Sequence, residues 1–199
     1  MKRNVIKLLI FSSAIYLVSC KKDSSANPAT GNVNGTYKFV SLTANTTSTV
    51  TITDGTTTDK TITKSVYTTK DNAGTLTIDD TKVVSTGLSY SIDTVVTVES
   101  YEDGVLTDTE EVPFQFDVPS SSATSEYKWV GTDSMYFASG SVFTDGTTTP
   151  SGPSGAKIKL EGGKLYVTGK NEKTSQDNSS GYLITTNSKA SVVATYQKQ

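Results

Sequence analysis

Threonine and serine together make up about 30% of this 199-residue chain, and that share constrains its secondary structure more than any other feature. Threonine is β-branched and fits a strand, whereas serine competes with the backbone for hydrogen bonds inside a helix. Short β-rich runs recur from residue 35 onward, and none of them has helical periodicity. The composition therefore predicts an all-β chain.

Turn sequences separate these β-rich runs at short intervals. Residues 54–55, 103–104 and 145–146 are each Asp-Gly, a dipeptide that favours tight hairpins. We expect about 10–13 short antiparallel strands, folded as a barrel or as a sandwich. The pattern leaves both architectures open.

The absence of histidine limits the chemistry available to the chain. Without it, neither a Ser-His-Asp nor a Cys-His nucleophile can form, and no metal site can use imidazole ligands. The single cysteine excludes a disulfide within the chain. A net charge of −2 argues against a nucleic-acid partner. We therefore expect no enzyme activity, no cofactor and no metal site.

The first 19 residues have the pattern of a bacterial secretory signal. Basic residues precede an apolar run over residues 8–18, which is too short to span a bilayer as a stable helix. Residues 17–20 (LVSC) resemble the lipobox of bacterial lipoproteins, in which cleavage precedes a cysteine whose sulfur carries a diacylglyceryl group. The resemblance implies a signal peptide over residues 1–19 and lipidation at Cys20. Lys21 follows the cysteine where the inner-membrane retention signal of enteric bacteria has aspartate, which implies an anchor in the outer membrane, on the periplasmic side or at the cell surface.

The rest of the chain divides into a tether and a folded domain. Residues 20–34 are polar and form the predicted flexible tether, and residues 35–199 form the predicted β domain. YKFV and TDGTTT in the first part of this domain correspond to YKWV and TDGTTT in the second, in the same order. The domain is therefore either a duplication, with halves 35–119 and 126–199, or a threonine-rich chain that matches itself by chance.

Residues 35–41 (GTYKFVS) resemble the first strand of lipocalin-like domains on lipoproteins of Bacteroidota, with Tyr37 where those domains have tryptophan. This resemblance implies an up-and-down β-barrel without catalytic activity. Such a barrel would hold a small apolar ligand in its mouth or would serve a structural role.

Two further functions remain open. Surface glycan-binding lipoproteins of polysaccharide-uptake systems are small β proteins that stack exposed aromatic rings on sugars, and the candidate side chains here are Tyr67, Tyr101, Trp129, Tyr136 and Tyr166. A hydrolase would need a facing pair of carboxylates. The acidic candidates for that role are Glu99, Glu102, Asp103, Asp108, Glu110 and Glu111.

The longest hairpin allows a specific prediction of register. Residues 90–101 and 105–118 should pair around a three-residue loop that ends at Gly104 in a left-handed conformation. This register places most apolar side chains of the hairpin on one face. The expected pairs are Tyr101 with Val105 and Ile92 with Phe114. The side chains expected to be buried are Ile92, Phe114 and Phe116, and those expected to face water are Thr97, Thr107 and Thr109.

Cys20→Ser should prevent lipidation, because serine lacks the sulfur that receives the diacylglyceryl group. We expect uncleaved or soluble precursor in place of a membrane-bound mature protein. Membrane fractionation and intact-mass spectrometry of both forms measure this. If the variant fractionates and matures like the wild type, Cys20 is not the lipid attachment site.

Overall fold

The computed structural model describes residues 33–143, 153–178 and 181–199 of the chain. Every regular element in these ranges is a strand, which confirms the all-β prediction. Cys20, the predicted signal peptide and most of the tether lie outside the described residues. The strands are β1 (Gly35–Asp54), β2 (Thr57–Thr68), β3 (Lys70–Ile78), β4 (Lys82–Glu102), β5 (Val105–Glu126), β6 (Lys128–Val130), β7 (Ser134–Phe137), β8 (Ser154–Glu161), β9 (Lys164–Asp177) and β10 (Leu183–Lys198).

These strands form one antiparallel sheet, in nearly the order of the chain. The order is β5, β4, β2 with β3, β1, β10, β9, β8, β7 and β6. Strands β2 and β3 both lie between β4 and β1. Strand β2 pairs with the second half of β1, and β3 pairs with the beginning of β1. Strands β1, β4 and β5 are the longest, with 20, 21 and 22 residues.

A threonine holds the break between β2 and β3, and a glycine allows the irregular pairing of β3 with β4 that follows it. The backbone N–H of Thr69 donates to the Leu42 carbonyl, and Thr69 Oγ1 accepts from the Leu42 N–H, both at 2.9 Å. Gly74 has a φ of 102°, and a Cβ atom there would lie 2.6 Å from the Gly87 carbonyl oxygen. Only glycine fits such a position without moving the backbone. The side chain of Thr69 thus continues the ladder where the strand is interrupted.

The hydrophobic core lies at the end of the sheet where β1 begins and β10 ends. Tyr37 and Phe137 are fully buried there. Phe39 meets Tyr196 with ring centroids 5.3 Å apart, and Tyr127 meets Phe137 at 6.2 Å. Side chains from β3 and β4 on one side of the β1–β10 pair, and from β7, β8 and β9 on the other, meet in this one core, so the sheet curls around it like a barrel. Both predicted halves contribute to it.

The longer strands continue well past this core. In β1 no residue after Ala44 is buried, and in β10 no residue before Val192 is buried. We call this extension, formed by the outer parts of β5, β4, β2, β1, β10 and β9, the distal sheet. Most of its side chains are half-buried or exposed, although Ile92 and Val96 are buried on one side, and hydroxyl pairs such as Thr46 with Ser65, 2.7 Å apart, lie between its strands. Strands that are largely in contact with water need residues that favour strand geometry and tolerate water, and threonine does both.

The hairpin of β4 and β5 turns at Gly104 as predicted, but its loop has two residues rather than three. Asp103 and Gly104 have φ values of 47° and 83°, the signs that a type I′ turn needs. Asp103 Oδ1 accepts from the Thr58 N–H, and the Asp103 N–H donates to the Thr58 carbonyl, both at 2.9 Å. The neighbouring hairpin therefore fixes the turn. The predicted pairing of Tyr101 with Val105 is wrong.

A bulge at Thr107 shifts the register of this hairpin a second time. Thr107 Oγ1 donates to the Ser100 carbonyl at 3.0 Å. Beyond the bulge Ile92 pairs with Phe116, so the predicted pairing of Ile92 with Phe114 is also wrong. The shorter loop and the bulge each shift the register by one residue from the predicted pairing, so the total shift is two residues. The same side chains therefore share a face as predicted, while their partners change.

Burial along this hairpin depends on its place in the sheet as well as on alternation. Ile92 is buried as predicted. Phe114 is only half-buried and Phe116 is 44% exposed, so the prediction that both are buried is wrong. Strand β5 lies at the edge of the distal sheet, and neither phenylalanine belongs to the core cluster. Of the threonines predicted to face water, Thr107 and Thr109 are exposed, and Thr97 is half-buried.

Phe137→Ala should lower the free energy of unfolding by about 3–5 kcal/mol, because a fully buried phenylalanine leaves a cavity. Phe116→Ala, the matched control, should lower it by about 1 kcal/mol at most, since this side chain is 44% exposed and lies outside the core. Urea denaturation of the full chain measures both values. Equal losses for the two variants would contradict this placement of the core.

Candidate functional site

The aromatic candidates for sugar binding do not form one patch. Tyr67 and Trp129 pack against the core, and Tyr101 lies on the distal sheet. Tyr136 and Tyr166 share the outer face of strands β7 to β9.

Tyr67 and Trp129 belong to the packing of the core. Both are half-buried and contact the core cluster. Burial raises the pKa of the Tyr67 hydroxyl above its usual value. The Trp129 ring meets Tyr127 edge to face at 5.6 Å, and the Tyr127 hydroxyl donates to the Asp79 carbonyl at 2.7 Å. Such rings stabilise the fold and present little surface for stacking on a sugar.

Tyr101 belongs to a charged network on the distal sheet. Its hydroxyl donates to Glu99 Oε2 at 2.9 Å, and Lys64 Nζ donates to Glu99 Oε1 at 2.6 Å. Lys60 Nζ lies 4.1 Å from the centroid of the Tyr101 ring, in cation–π geometry. The hydrogen bond from Lys64, followed by that from Tyr101, lowers the pKa of the Glu99 carboxyl. Because Lys60 covers one ring face, Tyr101 is a poor platform for a ligand.

Tyr136 and Tyr166 point away from the core on a common outer face. Tyr136 lies between two buried neighbours in β7, and Tyr166 lies between two buried neighbours in β9. Strand β8 separates them, with Gly155 opposite Tyr136 and Lys159 opposite Tyr166. Strand rise and spacing place the two tyrosine positions about 16 Å apart. Both rings are half-buried, so the sheet holds each ring while leaving part of it open to solvent.

Lysines surround these two tyrosines. We call the surface formed by Lys128, Tyr136, Gly155, Lys157, Lys159, Lys164, Tyr166 and Lys170 the tyrosine–lysine face. Lys157 pairs with Asp133 at 3.5 Å, and Lys159 pairs with Glu161 at 2.8 Å. Within the described part of the chain, the other three lysines of this face form no ion pair. The face therefore combines two aromatic rings with an excess of positive charge.

Two of the acidic candidates are engaged by neighbouring residues of the sheet. The carboxylate of Glu99 is held by Lys64, and that of Asp103 by the Thr58 backbone. Among residues 33–143, 153–178 and 181–199, no group of three His, Cys, Asp or Glu side chains could hold a metal ion. These carboxylates instead distribute charge along the β4–β5 hairpin.

A second feature lies on the core-facing side of the distal sheet. Phe114 and Phe116 stack with centroids 6.4 Å apart, beside the buried side chains of Ile92 and Val96. On β9, across the same side of the sheet, Asn171 is 9% exposed, and its buried Oδ1 has no hydrogen-bond partner among the described residues. An orphaned buried acceptor is costly unless a donor such as water or a ligand hydroxyl reaches it.

Sequence reasoning missed the lysines of the tyrosine–lysine face, although part of their pattern is visible. Residues 156–160 (AKIKL) alternate apolar and basic side chains, which predicts that Lys157 and Lys159 share a strand face. Their position beside Tyr166 depends on the pairing of β8 with β9. That register is a tertiary property which alternation alone does not provide.

The comparisons with known proteins place the chain in no group: no family model, no curated protein and no solved structure matches it. In the described ranges no helix is long and apolar enough to cross a membrane.

Lys64→Gln should raise the pKa of Glu99 toward its usual value, because it removes the strongest hydrogen bond to the charged carboxylate. ¹³C NMR titration measures this pKa. Lys189→Gln, which instead breaks the Lys189–Glu172 pair, is the matched control and should leave the pKa of Glu99 unchanged. A Glu99 pKa that is unaffected by Lys64→Gln would contradict the network.

The same shift gives the direction of the pH dependence of stability. The pKa of Glu99 is lower in the folded chain than in the unfolded chain. Its contribution to stability is therefore present above the unfolded value of about 4.3. That contribution is lost as the pH falls through the folded value.

Proposed function

We propose that this chain is a membrane lipoprotein, acylated at Cys20, whose β domain binds carbohydrate without catalysis. The observation that supports carbohydrate binding most directly is the shared outer face of Tyr136 and Tyr166. Part of each ring is open to solvent. Among the described residues no cation lies over either ring, whereas Lys60 lies over the ring of Tyr101. Aromatic rings on a fixed scaffold bind apolar ring faces at a low cost in conformational entropy.

The packing beneath this face also supports the proposal. Met135 and Phe137 flank Tyr136 in β7, and Leu165 and Val167 flank Tyr166 in β9, and all four are buried. These side chains fix the backbone on which both tyrosines lie. A ligand would therefore meet a surface that is already ordered, which reduces the entropy cost of binding.

The position of the predicted tether is consistent with this role. Val33 is buried at the core end, where its carbonyl accepts from the Tyr37 hydroxyl at 2.7 Å. The hairpin turns at Gly55 and Gly104 lie at the opposite end of the sheet. A tether over residues 20–34 spans about 50 Å when fully extended. The core end, with the tyrosine–lysine face over it, would then be the end nearer the membrane, and a tether of this length would hold that face clear of the lipid.

A small apolar ligand is the second candidate, and the core-facing side of the distal sheet supports it. Phe116 is 44% exposed next to the buried Ile92, an arrangement that offers an apolar contact surface. The unpartnered Asn171 Oδ1 would accept from a ligand hydroxyl. This candidate corresponds to the lipocalin-like function, in which the anchored domain holds its ligand on the inner side of the sheet.

Tyr136→Ala and Tyr166→Ala should each weaken carbohydrate binding about tenfold or more, because each removes a stacking platform. The control is Tyr182→Ala, which removes a tyrosine that is 41% exposed outside this face and should leave binding unchanged. Biolayer interferometry of the full mature lipoprotein in nonionic detergent, against immobilised starch, xylan, galactomannan and polygalacturonate, measures the affinities.

Absence of binding to all four polysaccharides would contradict carbohydrate binding by this domain. Binding that is lost in Phe116→Ala but retained in both tyrosine variants would favour the inner side of the distal sheet. Equal losses of polysaccharide affinity in Tyr182→Ala and in the two test variants would show that binding does not depend specifically on the tyrosine–lysine face.

A further inference from the structure

We infer that the ligand of the tyrosine–lysine face is an acidic carbohydrate, one whose sugar rings carry carboxylate or sulfate groups. This inference rests on the proposed carbohydrate-binding function. It is based on the contrast between this face and the rest of the molecule. The full chain has 18 Lys plus Arg and 20 Asp plus Glu, and residues 1–19 contain three of the basic residues and no acidic one. A chain cleaved before Cys20 would therefore have a net charge of 15 − 20 = −5.

Against this acidic background, five lysines converge on one outer face. The carboxylates that pair with them, Asp133 and Glu161, engage Lys157 and Lys159. The lysines of the face without an ion pair within the described ranges are Lys128, Lys164 and Lys170. A local excess of positive charge on an acidic protein attracts anions to this face selectively.

The register places one lysine next to Tyr136 and two lysines next to Tyr166. Lys128 pairs directly with Tyr136 in the β6–β7 ladder. Lys159 pairs directly with Tyr166, and Lys164 lies two residues before Tyr166 on the same face of β9. Side chains at paired positions are separated by about 5 Å at Cβ. An ammonium group could therefore reach an anionic substituent of a sugar that stacks on either ring.

The same face argues against a lipid surface as the ligand. Among the described residues, none of the exposed large hydrophobic side chains lies on β6, β7, β8 or β9. Insertion into a membrane interface needs exposed apolar side chains beside the basic ones. A surface of half-buried tyrosines and exposed lysines instead suits a polar ligand that has ring faces and anionic groups.

The test compares two forms of one polymer: polygalacturonate and its methyl ester, which has the same sugar backbone without the charge. The full mature lipoprotein in nonionic detergent should bind the acid form more tightly. Raising the salt from about 0.05 M to about 0.5 M should weaken that binding by screening the charges. The variant that combines Lys128→Gln with Lys164→Gln should bind polygalacturonate about five- to twentyfold more weakly, with little effect on the ester. Lys82→Gln, which removes an exposed lysine from the start of β4, is the matched control and should have little effect.

Each outcome decides between the two proposals. Equal binding of both polymers, lost in Tyr136→Ala, would overturn the acidic ligand and leave carbohydrate binding intact. Failure to bind either polymer or any neutral polysaccharide would overturn both. Equally strong, lysine-dependent binding to vesicles of phosphatidylglycerol would identify the face as a membrane contact and overturn the acidic carbohydrate.

Discussion

The pairing of β1 with β10 is the interaction on which the rest of the structure depends. The ladder runs from Tyr37 opposite Lys198 to Thr53 opposite Leu183, through both the core and the distal sheet. On one side of it lie β2 to β5, and on the other β6 to β9. Neither group of strands encloses the core alone, because the core draws side chains from both. The fold is therefore complete only when the two ends of the domain meet, a long-range contact that makes folding slow.

The distal sheet can extend past the core because its residues suit a sheet without a hydrophobic covering. Threonine favours strand geometry through its branched Cβ and tolerates water through its hydroxyl. The exposed edge at β5 carries Asp108, Glu110 and Glu111, and Pro113 supplies no backbone donor. Charge and proline at an edge discourage pairing with another strand. The acidic cluster that first suggested catalysis thus has a structural explanation.

The sequence predicted the strand class, the position of the long hairpin and the faces of its strands, since all three follow from local composition and alternation. It failed on register, because Asp103 is held by Thr58 from a neighbouring hairpin and because Thr107 forms a bulge. It failed on the depth of Phe116, because alternation identifies a face and not what covers that face. Tyr136 lies on the outer face of β7, but its grouping with lysines required the pairing of three strands.

The two surfaces that could bind a ligand differ in what supports them. The tyrosine–lysine face lies directly over the core, and the buried Ser154 at the start of β8 also donates to the Gly140 carbonyl at 2.6 Å. The distal sheet depends mainly on its strand ladders and on hydroxyl and ion pairs at its surface. Regions with few buried contacts open locally at a lower free energy than regions over a core. A ligand that needs fixed ring positions is therefore better served by the tyrosine–lysine face, whereas the distal sheet suits a ligand that tolerates, or itself restricts, local movement.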